Sequence, residues 1–443
     1  MTKYNVHNQK EFESLNLKLS KNILISFFVK LTGLFLILLS QIYFARVMSI
    51  ESFGMYSLSL SYFFIFLLFS HMSVDTLSLK NISIFKSQSK LSQIKGFYFS
   101  SINAMLILST IVFFCVICYL FLINNNLDSD LKKTVLLFLF STPFAANVLL
   151  ISSFLRSYNY IFYSQFTDSI LKPLFLICMI YIVILLNGSL ESHMAGMIYL
   201  ISSVMSFLII NYIFFKKIYS KLRNYEPKPF NRIVKKSFPI FLGVFFYLLI
   251  SQADILMIGY FLGPSEVGLY APASRLSSLI FFLSSIFSIV IASEIAIAYE
   301  NNNFLRLSKI TIFSTRFLTF FSLIYVLIIF FIGNEILNLY GNKFVISHTP
   351  LIILSLGYFT KSLSISELFM IMTKFQIQSS IILLVTLILN ITLNYFLITP
   401  LGIIGASIAT ACSLIFLNIS MPLYIFYKTK INTSIFQLRA YSE

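Results

Sequence analysis

Runs of about 20 apolar residues follow one another along this chain with so little polar sequence between them that a water-soluble core has nowhere to form. Twelve runs can be read, near residues 22–45, 54–74, 97–123, 134–155, 162–187, 194–215, 238–262, 267–293, 310–332, 348–372, 379–398 and 402–427. About 20 residues of helix cross the hydrocarbon of a bilayer. Twelve crossings nearly exhaust a chain of 443 residues and leave short loops with no room for a separate soluble domain. Charged residues make up only 11% of the chain and hydrophobic ones 58%, where a soluble domain carries about 25% charged residues. The expected fold is an all-α polytopic membrane protein of about 12 transmembrane helices. A soluble enzyme is excluded first.

The net charge of +16 would point a soluble protein toward nucleic acid, but in a membrane chain it reflects which way the loops face. Of the 32 basic residues, 25 fall in segments on the same side as residue 1, and four (Arg46, Lys132, Lys133 and Lys343) fall in the opposite loops. The other three, Lys30, Arg275 and Lys361, lie inside apolar runs. Because basic loops stay in the cytoplasm, both termini are expected there, and no nucleic-acid partner is expected. The longest polar connection, residues 216–237, carries eight basic residues with Pro227 and Pro229 and divides the runs six and six. The expected organisation is an N-terminal six-helix bundle over 1–215, a basic cytoplasmic linker over 216–237, and a C-terminal six-helix bundle over 238–443. The first 20 residues are polar, with Lys3, Lys10, Glu11, Glu13 and Lys18, and do not read as a cleavable signal peptide. Cys115, Cys118, Cys178 and Cys412 all sit in apolar stretches without the polar partners of a metal or redox site, so no metal is expected.

The two halves carry a trace of each other. "ARVMSIESFGMYSLSLSY", from residue 45, aligns with "GYFLGPSEVGLYAPASRL", from residue 259, at an offset of 214, which sets Gly54 on Gly268 and Tyr56 on Tyr270. Each half has an even number of runs, so both enter from the same side. That is the arrangement of parallel repeats related by an axis along the membrane normal, with a transport site between them.

The segment from Pro239 through "QADILMIGYFLGPSEVGLYAPASR", the later "GNEILNLYGNKF" and the closing "TPLGIIGASIATA" together resemble the polysaccharide flippase branch of the superfamily that also contains the MATE drug exporters and the lipid II flippases. The resemblance covers most of the chain through loose motifs. Twelve runs fit the O-antigen and capsule flippases better than the lipid II flippases, which carry two more. The resemblance implies a MATE-like, V-shaped pair of parallel-related six-helix bundles in the bacterial inner membrane. It implies movement of an undecaprenyl-pyrophosphate-linked oligosaccharide from the cytoplasmic to the outer leaflet by alternating access, without enzymatic chemistry.

Polar groups inside the runs are the candidate site. Ser26, Lys30, Gly33, Ser40 and Gln41 share one side of the first run, and Gly243, Tyr247, Ser251 and Asp254 form a similar stripe in the seventh. Under the offset of 214 the two stripes coincide, so both are expected to line a shared cavity. A charge at mid-membrane costs about 2.5–3.5 kcal/mol on insertion scales and is by default functional. Three cations, Lys30, Arg275 and Lys361, against one deep acid, Asp254, suit an anionic substrate, and a guanidinium matches phosphate oxygens. Asp254 and Arg275 lie at similar depth on adjacent runs, so two readings stand, a neutralising pair or a substrate-binding arginine. Lys30 and His71 also lie at similar depth, where two readings stand, a packed histidine or one kept neutral by a charged lysine and able to take up a proton. Asp75, Asp168, Arg156, Lys172, Glu294 and Glu367 lie near run ends and read as interface residues.

A cationic cavity of Lys30, Arg275 and Lys361 holding a pyrophosphate would remove the main barrier to crossing, the desolvation of a dianion. No GxxxxGK[ST] nucleotide motif is present, so an H+ or Na+ gradient, or consumption of the product, must give direction; no other cofactor is expected. The expected partners are the lipid-linked glycan, the membrane, a polysaccharide polymerase and a chain-length regulator. The alternatives are a cation-coupled multidrug exporter of the same architecture, which would favour acids, and a membrane polysaccharide polymerase or glycosyltransferase, which would need catalytic carboxylates or large outer loops.

Overall fold

A computed structural model describes residues 2–120, 128–301 and 303–435, with their side chains except those of 2–24, 187, 283, 285–290 and 293. The end of the third run at 121–123, the side chains of Lys3, Lys10, Lys18 and Lys21, and Arg439 lie outside that description. The described residues are helical almost throughout, apart from one isolated bridge between Ser364 and Ser434. The helices are α1 (Thr2–Val47), α2 (Ile50–His71), α3 (Val74–Ser87), α4 (Leu91–Cys118), α5 (Ser129–Ser157) and α6 (Ile161–Gln165). A π-helical turn (Phe166–Leu171) leads to α7 (Lys172–Asn187) and α8 (Ser192–Phe214), and a second (Phe215–Tyr219) leads to α9 (Ser220–Leu222). The second half holds α10 (Ile233–Phe261), α11 (Pro264–Ser277), α12 (Ile280–Glu300), α13 (Phe304–Asn338), a 3-10 turn (Asn342–Ser347), α14 (His348–Ser362), α15 (Ser366–Met372) and α16 (Gln376–Thr429). Among the described residues, nine helical stretches are long and apolar enough to cross a membrane.

Three departures from uniform spans matter for function. The run at 267–293 is broken into α11 and α12. Ser277 donates to the Ser274 carbonyl at 3.0 Å and Ser278 to that of Arg275 at 2.8 Å, so side-chain hydroxyls compete for the carbonyls the helix would use. The run at 348–372 is likewise broken into α14 and α15. Its unwound residues are buried in protein, as a bilayer requires of non-helical backbone: Ile365 N–H donates to the Thr433 carbonyl at 3.3 Å and Ile435 N–H to that of Leu363 at 2.9 Å. The third departure is α16, whose Gly402 takes φ 61°, ψ −139°. Asn390 Nδ2 donates to Thr410 Oγ1 at 3.3 Å, although a straight helix would hold residues 20 apart about 30 Å from each other. Thus α16 is a hairpin of two helices, the runs expected at 379–398 and 402–427.

At the centre, α2 packs against α4 and α5 of its own half and against α10 and α11 of the other; α5 packs on α8, and α16 on α10 and α14. The polar connection is no free tether. Residues 223–230 lie along α4, where Lys95 Nζ donates to the carbonyls of Arg223 (2.9 Å) and Tyr225 (2.8 Å) and Lys228 N–H donates to that of Ser92 (3.1 Å). The Phe230 ring sits 4.8 Å from that of Phe97. The helix α3 has no counterpart among the expected runs, being too polar and too short to cross a membrane.

Candidate functional site

The two halves meet most closely where α2 and α11 begin, and repeat-related glycines make the contact. A Cβ on Gly54 would lie 1.7 Å from the Pro264 carbonyl oxygen, and one on Gly268 2.2 Å from that of Ile50. Only hydrogen fits at either position. Phe53 against Phe344, edge to face at 5.8 Å, and Arg46 Nε donating to the Leu339 carbonyl at 2.7 Å close the same end.

Beyond that crossing, Arg275 projects from the last turn of α11 across the interface, its guanidinium 5.7 Å from the ring of Phe64 on α2. Its electrostatic neighbours are Tyr56, Tyr199, Tyr340 and Tyr358, with Asp254 among them. No carboxylate among the described residues comes within 4.0 Å of it. Because α11 stops in mid-run, the partial negative charge of its terminal carbonyls falls beside the guanidinium and supports it. Asp254, 1% exposed, takes a different partner: it accepts from Tyr270 Oη at 2.5 Å and from the Ile255 N–H at 2.8 Å. Of the two readings of this pair, direct neutralisation is not what the geometry holds.

Lys361 repeats the placement of Arg275, in the last turn of a helix interrupted in mid-run, but its charge is matched. It lies 2.9 Å from Glu367 Oε2, donates to Tyr247 Oη at 3.3 Å, and sits 3.9 Å above the Phe281 ring. It lines a cavity of about 420 Å³ with Tyr247, Phe281 and Glu367 that neither Lys30 nor Arg275 lines. Lys361 and the other two cations thus do not share this cavity. The break at 363–365 brings Glu367 back to Lys361, and a count along one straight helix misses it. Lys30, half-buried on α1, has Arg156 as the charge acting on it, and the buried Arg156 Nε has no hydrogen-bond partner.

The remaining stripe residues are mostly engaged locally. Ser26 donates to Gln165 Oε1 at 2.8 Å, Ser40 to the Ile37 carbonyl at 2.7 Å and Ser251 to that of Leu248 at 2.8 Å, while Gln41 is half-buried. His71 faces Asp75, not Lys30: Nε2 is 3.4 Å from Oδ1, and Nδ1 is 2.6 Å from the Leu67 carbonyl. Burial raises the Asp75 carboxyl, but the hydrogen bond and charge of His71 outweigh it and hold the group below the ordinary carboxylate value. Among the described residues no cluster of His, Cys, Asp or Glu could hold a metal.

One cation was not expected in the site. Lys172, counted as an interface residue, donates to Tyr199 Oη at 2.9 Å and lies 4.2 Å from that ring. Tyr199 also neighbours Arg275, so two half-buried cations converge on one tyrosine. The π-helical turn before α7 shifts the register that a uniform helix would give Lys172. The aromatic groups around them, Tyr56, Tyr199, Tyr340 and Tyr358, carry no signal in the sequence that separates them from the other 21 tyrosines.

Interrupted spans and a glycine crossing between two halves define a polytopic helical membrane fold, and the solved structures it resembles share it. A multidrug resistance MATE family transporter of the MOP superfamily in its inward-facing conformation superposes with a TM-score of 0.72 at 16% identity, over 92% of this chain and 98% of that one. The lipid II flippase MurJ in an inward closed conformation gives 0.67 at 19% identity, over 92% and 87%. A MOP superfamily transporter from Pyrococcus furiosus, whose binding pocket is described as having reverse polarity, gives 0.64 at 14%, over 93% and 94%. No curated protein sequence matches the chain. The polysaccharide biosynthesis protein family model matches residues 19–293, more than half the chain, and the MatE model matches 239–396. The chain belongs to the polysaccharide biosynthesis protein family, as a multi-pass membrane protein with the MATE fold.

Proposed function

We propose that this protein is a flippase that carries an undecaprenyl-pyrophosphate-linked oligosaccharide from the cytoplasmic to the outer leaflet of a bacterial inner membrane, with both termini in the cytoplasm. The observation that carries the reading is Arg275, half-buried between the halves, with no carboxylate within 4.0 Å among the described residues and with Tyr199 shared with Lys172. Its fork of donors is free to take phosphate oxygens, and the tyrosines around it supply hydroxyls and aromatic faces for sugar rings. Lys30 and Arg156 form a second basic patch for the same headgroup. The six-helix halves, 1–215 and 238–443, rock about the interface, and an H+ or Na+ gradient or consumption of the product gives direction. The tight crossing of α2 and α11 would then be the closed outer side, which supports an inward-facing state. A polymerase and a chain-length regulator would take the product. The runner-up, export of cationic drugs, is disfavoured by the positive charge of the interface.

The test is transport of a defined lipid-linked oligosaccharide in reconstituted vesicles, read by accessibility of the sugar to an added glycosidase. Movement that depends on this protein is the expected result. Failure to move it, with export of a cationic dye by the same vesicles, would overturn the reading in favour of drug export.

A further inference from the structure

The cavity at Lys361 has a neighbour. A groove of about 480 Å³ runs between α14 and the second arm of α16, and the two share Ser364, Asn418 and Pro422 as a common wall. The wall is thin: Asn418 Nδ2 donates to Thr360 Oγ1 at 2.9 Å and is its polar post. On the far side, Ile419, Leu423 and Phe426 are 53%, 61% and 49% exposed on a membrane-crossing helix, so this side meets lipid chains. Residues 432 and 434, on the tail paired with the unwound run, close the groove at one end. An apolar slot open to lipid thus abuts a chamber containing a half-buried ammonium. Both volumes lie within the range of about 300–1,000 Å³ of ligand sites.

We infer that the isoprenoid chain of the substrate's lipid carrier lies in this groove and that its phosphate reaches Lys361 through the Asn418 wall, displacing Glu367. The inference rests on the flippase reading above and gives the lipid half of that substrate its own site. The electrostatics allow the exchange. Glu367 is on α15, a helix of seven residues, with its side chain 25% exposed against 17% for Lys361. A carboxylate at the edge of the cavity can turn to water at low cost, and the half-buried lysine never lacks an anion, because phosphate replaces carboxylate. Phe281 and Tyr247 hold the ammonium in place throughout. In the orientation set by the basic loops, the groove lies in the cytoplasmic half of the bilayer, where the carrier is loaded.

The test is photolabelling of the purified full-length protein in nanodiscs with undecaprenyl monophosphate bearing a diazirine in its chain, no sugar attached, mapped by mass spectrometry. Labels on residues 415–426 are expected. Glu367→Gln, which removes the competing anion, raises labelling, and Lys361→Gln lowers it at least about tenfold, the worth of one charge-assisted contact. Ile419→Trp, at a lipid-exposed position, fills the groove and abolishes labelling while leaving the fold. If Lys361→Gln fails to fold, Lys361→Gln with Glu367→Gln removes both charges together and must still lose the label. Labelling elsewhere, labelling indifferent to both charges, or equal competition by phosphatidylglycerol, which would make this an annular-lipid groove, each overturns the inference. The assay involves no transport, so Lys361-dependent labelling alongside failed glycan movement would sink the flippase reading and leave the groove.

Discussion

Arg275 keeps a charge available because its neighbours are mostly tyrosines and no carboxylate, Asp254 included, comes within 4.0 Å of it among the described residues. A hydrogen bond to a charged group is worth about 1.5–3 kcal/mol. Arg275→Ala should therefore cut glycan export at least about tenfold while the protein stays in the membrane, and Arg275→Lys should retain part of it, read by surface glycan in a complemented deletion strain. Full export by the alanine variant would remove the residue from the mechanism. Asp254 obeys a different rule. Its partner is Tyr270, so Asp254→Asn and Tyr270→Phe should couple in a double-mutant cycle of thermal melts by about 0.5–3 kcal/mol, whereas neutralising Asp254 and Arg275 together should rescue nothing. Depth in the membrane was legible in the sequence for Lys30, Arg275, Lys361 and Asp254, since a charge within an apolar run is conspicuous. Pairing was not legible, because residue counts give height along a helix and leave direction and backbone breaks unstated. Hence the return of Glu367 to Lys361, the reach of Lys172 to Tyr199 and the choice between the two readings of Asp254 and Arg275 all lay beyond the count.

Helices that stop inside the bilayer give this fold its two best-defined cation positions, the last turns of α11 and α14. Hydropathy averages over the serines and threonines that end them, so the runs at 267–293 and 348–372 read as continuous and their breaks emerge only from the hydrogen bonds. The turn at Gly402 was legible, since Pro400 and Gly402 separate two runs, and so was the pairing of Gly54 with Gly268 in the repeat. What the repeat could not say is that the two glycines meet each other. Their contact leaves no space for a methyl group, and overpacking of this kind costs about 1–3 kcal/mol. Gly54→Ala should accordingly part the starts of α2 and α11, raising the distance between spin labels at Glu51 and Ser265 and shifting the protein toward its other state. An unchanged distance would mean that the crossing is not the closure between the halves.

At the scale of the whole molecule, the segment between the halves is anchored along α4 by the Lys95 ammonium donating to its carbonyls, by its N–H groups donating to Ser92 and Ser100, and by Phe230, so any rocking of one half against the other must turn about a fixed strap. Its position and basic character were legible in composition, but its docking was not, because it is the strap's carbonyls and N–H groups that α4 holds, and these are common to every residue type. The direction of transport depends on which face the strap occupies, and here charge is the only guide. Under the proposed topology, with twenty-five basic residues on one side against four on the other, the strap, α3 and both termini would lie in the cytoplasm and the crossing of α2 and α11 on the outer face. Fusion of green fluorescent protein after Glu443 should then give fluorescence, and alkaline phosphatase at the same point should be inactive. Phosphatase inserted after Asp128, in the loop before α5, should be active, because that loop would be outside. The reverse pattern would invert the molecule: the closed glycine crossing would face the cytoplasm, the groove beside Lys361 would open to the outer leaflet, and loading of a lipid-linked substrate from inside would no longer follow from this geometry.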